Sequence, residues 1–147
     1  MAPQNPSDDE LRELLTNASV VAMVGASANP DKDSYGIMQK LQSVGYRVIP
    51  VNPRETELLG ERSYASLLDI PERIDIVDVF RRAEDTPAIA DDAATIGAKA
   101  LWLQTGIVSE EAARRAHDAG LVVVMDQCIG ATHTLLRVPK KTKPCSP

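Results

Sequence analysis

The sequence predicts an α/β fold in which five parallel strands form one doubly wound sheet. Five short apolar segments alternate with segments of helical periodicity along the 147 residues. Several apolar segments, such as the one at 121–125, are nearly continuous, which is typical of parallel strands covered on both faces. Right-handed crossovers then favour the strand order 3-2-1-4-5, a Rossmann-like single domain.

Local signals predict the individual elements. Strands are predicted at residues 20–24, 46–51, 74–80, 100–103 and 121–125. Helices are predicted after Ser7, at 35–44, around 65–69, at 88–96 and after Ser109, and residues 128–137 are expected to return across the sheet. Ser7 and Glu10 have capping-box spacing, and Gly45 is placed to end the second helix. Pro50 suits a strand end or an edge strand better than a central strand, because proline cannot donate a ladder hydrogen bond.

The composition indicates one domain without disulfide or metal staples. A chain of 147 residues with 44% hydrophobic residues can bury a substantial core. The expected division is a loose segment at 1–8, the domain at 9–138 and a loose tail at 139–147. No apolar run is long enough to cross a membrane, and the start lacks the pattern of a signal peptide. With only Cys128 and Cys145 and no paired-cysteine motif, we expect a cytoplasmic protein without a metal site.

The charge and the aromatic content argue against nucleic acid as a partner. The formal net charge is −5, whereas a general nucleic-acid surface needs a basic face. Aromatic residues make up 3% of the chain, which is too few for a base-stacking platform. The basic tail at 140–143 is short and is expected to be a solvated chain end.

The residues that follow each strand are the expected place for a ligand. In an open parallel sheet, ligands bind beyond the carboxyl ends of the strands, near the switch in strand order. The residues that follow the five strands are Gly25-Ala26-Ser27, Asn52-Pro53-Arg54, Phe80-Arg81-Arg82, Gln104-Thr105-Gly106-Ile107 and Asp126-Gln127-Cys128. The three arginines of this edge suit an anion with several phosphates, because guanidinium groups make bidentate, charge-assisted contacts. Alternatively, they are solvated loop residues that pair with Glu55, Glu57 or Glu84.

The first loop does not carry the glycine fingerprint of a dinucleotide site. The segment 25–30 has one glycine where G-x-G-x-x-G has three, and it is expected to arch over a ligand with the backbone of Ala26 and Ser27 at the anion. The second strand also lacks the acidic residue that holds the ribose of NAD, and Arg54 follows it instead. An arginine there suits a phosphorylated ribose, which occurs in NADP and in coenzyme A (CoA). Asp31 and Asp33 of the first loop would oppose a pyrophosphate bound in the NADP manner, which favours CoA.

Five motifs together resemble the small stand-alone CoA-binding proteins, which are similar to the N-terminal CoA-binding domain of the succinyl-CoA synthetase alpha subunit. These motifs are VGAS, SYGIMQKLQSVGYRVIPVNP, DIVDVFRR, WLQTGI and MDQCI, and the resemblance extends from about Asp9 to Leu136. It implies CoA as the ligand. The binding residues that it implies are Gly25, Ala26, Ser27, Val51, Asn52, Pro53, Arg54, Phe80, Arg81, Arg82, Gln104, Thr105, Gly106 and Ile107.

The chain departs from the synthetase pattern in two places. Its second-strand loop, at 52–55, replaces a lysine-containing, glycine-rich run. No second domain, which carries the phosphorylated histidine of the synthetase, is predicted here. His117 is expected on an exposed helix face, and neither His117 nor His133 has catalytic partners nearby in sequence. Asp126 is expected to be a structural cap. We therefore predict no catalytic residues and no independent turnover.

Cys128 has two interpretations. A buried structural thiol is the default for a free cysteine. If the residue lies near the pantetheine end of a bound CoA, a mixed disulfide with CoA becomes possible.

The expected function is non-covalent binding of CoA or an acyl-CoA by a monomer or weak homodimer, as a sensor or a partner subunit. Trp102 is expected in the core, and the charged helix surfaces offer no large apolar interface. The alternatives are an NADP-dependent oxidoreductase and a protein-interaction scaffold with a vestigial pocket. Membranes and nucleic acids are not expected as partners.

Overall fold

The computed structural model describes residues 5–141, so Cys145 and the end of the basic tail lie outside the described residues. The strands are β1 (Val20–Val24), β2 (Arg47–Val51), β3 (Glu57–Leu58), β4 (Glu61–Arg62), β5 (Ile76–Val79), β6 (Ala100–Leu103) and β7 (Val122–Val124). The helices are α1 (Asp8–Asn17), α2 (Asp33–Ser43), α3 (Thr86–Thr95), α4 (Glu110–Asp118) and α5 (Ile129–Leu135). Five of the strands form one parallel sheet, which confirms the predicted fold class.

The strand order differs from the prediction. The sheet has the order β2-β1-β5-β6-β7, so its strands run 2-1-3-4-5 in chain order, and the predicted 3-2-1-4-5 is wrong. After β2, the chain forms the small β3–β4 hairpin and then returns along the outer edge of β2. There the Tyr64 N–H donates to the Pro50 carbonyl at 3.1 Å, and the Asn52 N–H donates to the Tyr64 carbonyl at 2.8 Å. With that edge occupied, β5 pairs with β1 instead.

Pro50 lies in the edge strand of the parallel sheet, as predicted. Its carbonyl faces the outer edge, where it accepts the Tyr64 N–H. Because the amide and carbonyl of one strand residue point to the same side, the missing proline N–H also faces outward. No ladder hydrogen bond to β1 is lost.

Two helical layers cover the sheet. On one face, α3 and α4 pack small side chains, such as Ala90, Ala93 and Ala113, against the strands. On the other face, α1, α2 and α5 bury larger ones, including Leu15, Met38 and Ile129. We call these the α3–α4 layer and the α1–α2–α5 layer. Trp102 of β6 is fully buried on the face of the sheet that the α1–α2–α5 layer covers, as predicted.

The predicted helix caps are present. The Ser7 hydroxyl accepts the Glu10 N–H at 3.2 Å, and the Glu10 carboxylate accepts the Ser7 N–H at 3.3 Å, which completes the capping box of α1. The Ser109 hydroxyl accepts the Ala112 N–H at 3.1 Å at the start of α4. These caps satisfy amide groups that have no partner inside the helix.

Helix α5 was not predicted from the sequence. Its residues include Gly130, Thr132 and Thr134, which are weak helix formers. Tertiary contacts hold it instead: the Gln104 side-chain oxygen accepts the Ile129 N–H at 3.0 Å at its first turn. Helix α5 also packs against α2, and a β-carbon at Gly130 would lie in ordinary van der Waals contact with the Ile37 side chain, at 3.8 Å.

Candidate functional site

Two clefts lie at the carboxyl edge of the sheet, on either side of a wall that Phe80 and Arg81 form. The first cleft encloses about 680 Å³ and lies beside α3. The second encloses about 790 Å³ and lies between the start of α2 and the start of α5. Because Phe80 and Arg81 line both, the two clefts adjoin at this wall, and we call the two together the groove.

The structure brings most of the sequence-predicted site residues into this groove. The first cleft is lined by Gly25, Ala26, Ser27, Val51, Asn52, Pro53, Arg54, Phe80 and Arg81. The second is lined by Phe80, Arg81, Gln104, Thr105 and Ile107. Arg82 and Gly106 line neither cleft.

Gly25 sets the position of the first loop against the central wall. Its φ is +85°, and its N–H donates to the Val51 carbonyl at 3.1 Å. A β-carbon at this position would lie 2.5 Å from the Phe80 carbonyl oxygen and 3.1 Å from the Arg81 side chain. Only glycine satisfies both the dihedral angle and the close approach.

Asn52 ties the second-strand loop to the first loop. Its side-chain amide donates to the Ala26 carbonyl at 2.8 Å, and its side-chain oxygen accepts the Arg54 N–H at 2.8 Å. The Ser27 N–H donates to the buried Ser34 hydroxyl at 3.1 Å, so it is engaged within the protein rather than free for an anion. These bonds fix the rim of the first cleft around Arg54.

The three arginines differ in their surroundings. Arg54 lines the first cleft and makes no ion pair within the described residues. Arg81 lines both clefts and pairs with Asp85 at 3.1 Å. The Arg82 side chain is 74% exposed and pairs with Glu84 at 3.2 Å, so the solvated-loop interpretation describes this arginine. The first cleft thus has one unpaired guanidinium at its rim.

The first cleft also has an apolar side. Val51, Leu67 and Ile89 line it next to one another in the α3–α4 layer. The half-buried carboxylate of Asp92 lies in the same wall. This combination suits a flat ring that carries a hydrogen-bond donor on its edge.

The second cleft contains Gln104, which the sequence predicted as a site residue but whose side-chain orientation it could not predict. Gln104 is 4% exposed, and its side-chain oxygen accepts the Ile129 N–H. The amide nitrogen of the same group has no protein partner within the described residues, and it is not sealed from solvent. Because Gln104 lines the second cleft, its amide presents a hydrogen-bond donor there.

Of the residues that follow the last strand of the sheet, Cys128 lines the second cleft and Asp126 does not. Cys128 is a free, half-buried thiol in the cleft wall, so the fully buried thiol expected by default is not observed. The Asp126 carboxylate accepts the Gly106 N–H at 2.6 Å, in keeping with its predicted role as a structural cap.

Neither histidine lines the groove. His117 is exposed on α4, as predicted. His133 is buried in α5 against the Tyr46 ring, at 5.7 Å between ring centroids, and burial, Lys40 and Lys141 lower its pKa. Within residues 5–141, no group of histidine, cysteine and acidic side chains is arranged to hold a metal ion. In the same range, no helix has both the length and the apolar character needed to cross a membrane.

Known proteins are similar to this chain in sequence and in fold. The YneT protein of Bacillus subtilis is 40% identical over 134 residues, which cover 91% of this chain and 99% of YneT. A solved structure of a hypothetical protein from Pyrococcus horikoshii OT3 has a TM-score of 0.87 at 38% identity, covering 93% of this chain and 99% of that one. The region that aligns with this chain makes up nearly all of both proteins.

The same region also occurs inside larger enzymes. The ADP-forming acetate–CoA ligase II of Archaeoglobus fulgidus is 31% identical over 109 residues, which cover 73% of this chain but 16% of the ligase. A family model described as a CoA binding domain matches residues 19–134, a range that contains all five parallel strands and both clefts. The resemblance predicted from the five motifs is confirmed, and the chain belongs to the CoA-binding domain family.

Proposed function

We propose that this protein binds CoA or an acyl-CoA non-covalently along the whole groove. The observation that carries the proposal is that two chemically different clefts adjoin at the Phe80–Arg81 wall, in a member of the CoA-binding domain family. CoA is an elongated molecule with a charged nucleotide at one end and a thiol at the other. A groove with a cationic rim at one end and a thiol at the other matches that polarity.

The first cleft suits the nucleotide half. Val51, Leu67 and Ile89 offer an apolar surface for the adenine ring, and the Asp92 carboxylate can accept its exocyclic amine. The unpaired Arg54 guanidinium at the rim suits the 3′-phosphate. Charge-assisted hydrogen bonds to phosphate are stronger than neutral ones, because one partner is ionised.

The second cleft suits the pantetheine arm, which contains two amide groups. The Gln104 amide nitrogen can donate to one of their carbonyl oxygens, and its orientation is already fixed by the bond to Ile129. A donor held in place before binding loses less rotamer freedom when the ligand arrives. Ile37 and Phe80 supply apolar contact along the arm.

We infer that binding, rather than turnover, is the role of the isolated chain. The chain corresponds to a small part of the acetate–CoA ligases that it resembles, and YneT consists of the same region. The α4 surface carries Arg114, Arg115 and Asp118 and offers no large apolar interface. We therefore propose a cytoplasmic CoA sensor or partner subunit that is a monomer or weak homodimer.

Calorimetric titration with CoA, dephospho-CoA, NADP and NAD tests the proposal. We expect saturable binding of CoA at one site per chain, weaker binding of dephospho-CoA, and no binding of NAD. Thermal unfolding should agree, since a ligand at 100 times its Kd stabilises the fold by about 2.7 kcal/mol. Tighter binding of NADP than of CoA would favour the oxidoreductase instead, and binding of none of them would favour the scaffold.

A further inference from the structure

Cys128 places a free thiol in the wall of the second cleft. It is half-buried, lines the cleft, and directly precedes helix α5. The packing of α5 on α2 fixes its position: a β-carbon at Gly130 would lie 3.9 Å from the Cys128 sulfur and 3.8 Å from Ile37. The thiol is therefore held in the wall and is accessible from the cleft.

Gln104 is a second, independent observation that this part of the cleft suits a ligand. The Gln104 residue is only 4% exposed, yet its amide nitrogen has no protein partner within the described residues and is not sealed from solvent, so it is free to donate to a ligand. The oxygen of the same group binds the N–H of Ile129, the residue next to Cys128. A ligand carbonyl that accepts from Gln104 would share the second cleft with the Cys128 thiol.

We propose that Cys128 forms a reversible mixed disulfide with CoA that is bound in the groove. This inference rests on the proposed function, because the bound pantetheine arm brings the CoA sulfur to the thiol. The Cys128 thiolate attacks one sulfur of a CoA disulfide, a new S–S bond forms, and the original S–S bond breaks. One CoA thiolate leaves and takes up a proton from solvent, in place of the proton that Cys128 released. No external oxidant is needed, since the CoA disulfide supplies the oxidised sulfur.

Such an exchange makes the chain responsive to the ratio of CoA disulfide to CoA thiol. In a reducing compartment, protein disulfides are transient, so the adduct would accumulate only when CoA disulfide rises. A small thiol reverses the reaction by attacking the mixed disulfide, which releases CoA and restores Cys128. The modified protein carries its own ligand covalently in the groove.

Intact-mass measurement of a Cys145→Ser protein incubated with CoA disulfide tests the proposal, because Cys128 is then the one thiol of the chain. We expect one CoA moiety per chain, removal by dithiothreitol, and no adduct in the matched Cys128→Ser variant. Adduct formation should be at least about tenfold faster with CoA disulfide than with glutathione disulfide, because bound disulfide is held near the thiol. Excess acetyl-CoA, which occupies the groove and lacks a free thiol, should slow the first reaction only.

Two outcomes would overturn the proposal while leaving the proposed function intact. Equal rates with both disulfides, unaffected by acetyl-CoA, would show that Cys128 is merely an accessible thiol. Absence of any adduct in a protein that binds CoA by calorimetry would show that the arm ends elsewhere. If neither the Cys145→Ser protein nor the unaltered protein bound CoA, both the mixed-disulfide proposal and the proposed function would be overturned.

Discussion

The first and second clefts adjoin, yet the helical layers beside them differ in how buried polar groups are satisfied. The first lies beside the α3–α4 layer, whose core consists of apolar side chains such as Val77 and Val79. The second lies beside the α1–α2–α5 layer, in which Asp78 and His133 bury polar atoms that have no hydrogen-bond partner within the described residues. Among the described residues, the buried polar atoms that lack a partner therefore lie on the side of the second cleft.

Two aspartates of one segment show the physical difference. Asp75 accepts the N–H groups of Ser19 and Val20 at 2.8 and 3.0 Å; although burial opposes ionisation, these bonds and Lys99 lower its pKa. Asp78 lies in the middle of β5, between Met23 and Trp102 of the neighbouring strands. It is fully buried, and that burial raises its pKa well above the usual range. One carboxylate stabilises the fold, whereas the other is stable there only when it is protonated.

The largest expected effect concerns the Phe80–Arg81 wall between the two clefts. Gly25→Val should reduce CoA affinity by more than about 100-fold, or about 2.8 kcal/mol, because the added side chain collides with Phe80 and displaces the first loop. Titration calorimetry measures the loss. Gly97→Ala is the matched control, since Gly97 also has a positive φ but has open space around its α-carbon. Equal losses of affinity in both variants would show that general strain, not the wall, is responsible.

The contrast between the two layers is tested at Asp78. A carboxyl whose folded-state pKa is raised contributes stability at low pH that is lost as pH rises from about 4 towards the folded pKa. Asp78→Asn should therefore be more stable than the unaltered protein by a margin that grows by up to about 1.4 kcal/mol per pH unit. Urea unfolding at pH 5, 6 and 7 measures this margin.

Asp75→Asn is the control of opposite sign. The pKa of Asp75 is lowered, so its contribution is present above the unfolded pKa of about 4 and disappears as pH falls below it. This variant should be less stable than the unaltered protein at pH 7. A margin for Asp78→Asn that does not change with pH would contradict the assignment of a protonated Asp78.

A smaller effect is expected at the rim of the first cleft. Arg54→Ala should weaken CoA about tenfold and leave dephospho-CoA nearly unchanged, at the low end of the 1.5–3 kcal/mol typical of charged hydrogen bonds, because the rim is open. Added salt should reduce the difference. Arg82→Ala is the control, because Arg82 lines neither cleft and pairs with Glu84. Equal weakening of both ligands by Arg54→Ala would place this arginine at the pyrophosphate.

The smallest expected effect concerns His133, which lies in the α1–α2–α5 layer and lines neither cleft. Its pKa is lowered, so the stability that it contributes is present above the unfolded pKa of about 6.5 and is lost as pH falls through the folded pKa. His133→Phe keeps the contact with Tyr46 and should lose less stability than the unaltered protein between pH 6.5 and 5. Thermal unfolding in that range checks it, and identical losses would contradict a neutral buried imidazole.

Patterns of apolar residues predicted the strands well, because burial on both faces leaves continuous runs such as 20–24 and 100–103. Strand order was not predicted, because the hairpin that covers β2 depends on hydrogen bonds of Tyr64 that no periodicity reveals. Helix α5 was missed because Gly130 and the threonines are weak helix formers that only tertiary packing holds in place. The motifs predicted Gln104 as a site residue, but the orientation of its side-chain amide depends on a hydrogen bond with Ile129, which is 25 residues away in sequence.

Amide chemical-shift mapping with CoA and with adenosine 3′,5′-bisphosphate tests most directly whether one ligand spans both clefts. We predict that CoA shifts the amides of Gly25 and Arg54 in the first cleft and those of Gln104 and Cys128 in the second. The bisphosphate, which lacks the pantetheine arm, should shift only the first pair. If CoA left the second pair unchanged, or if both ligands gave the same shifts, the claim that the groove binds CoA from end to end would be contradicted.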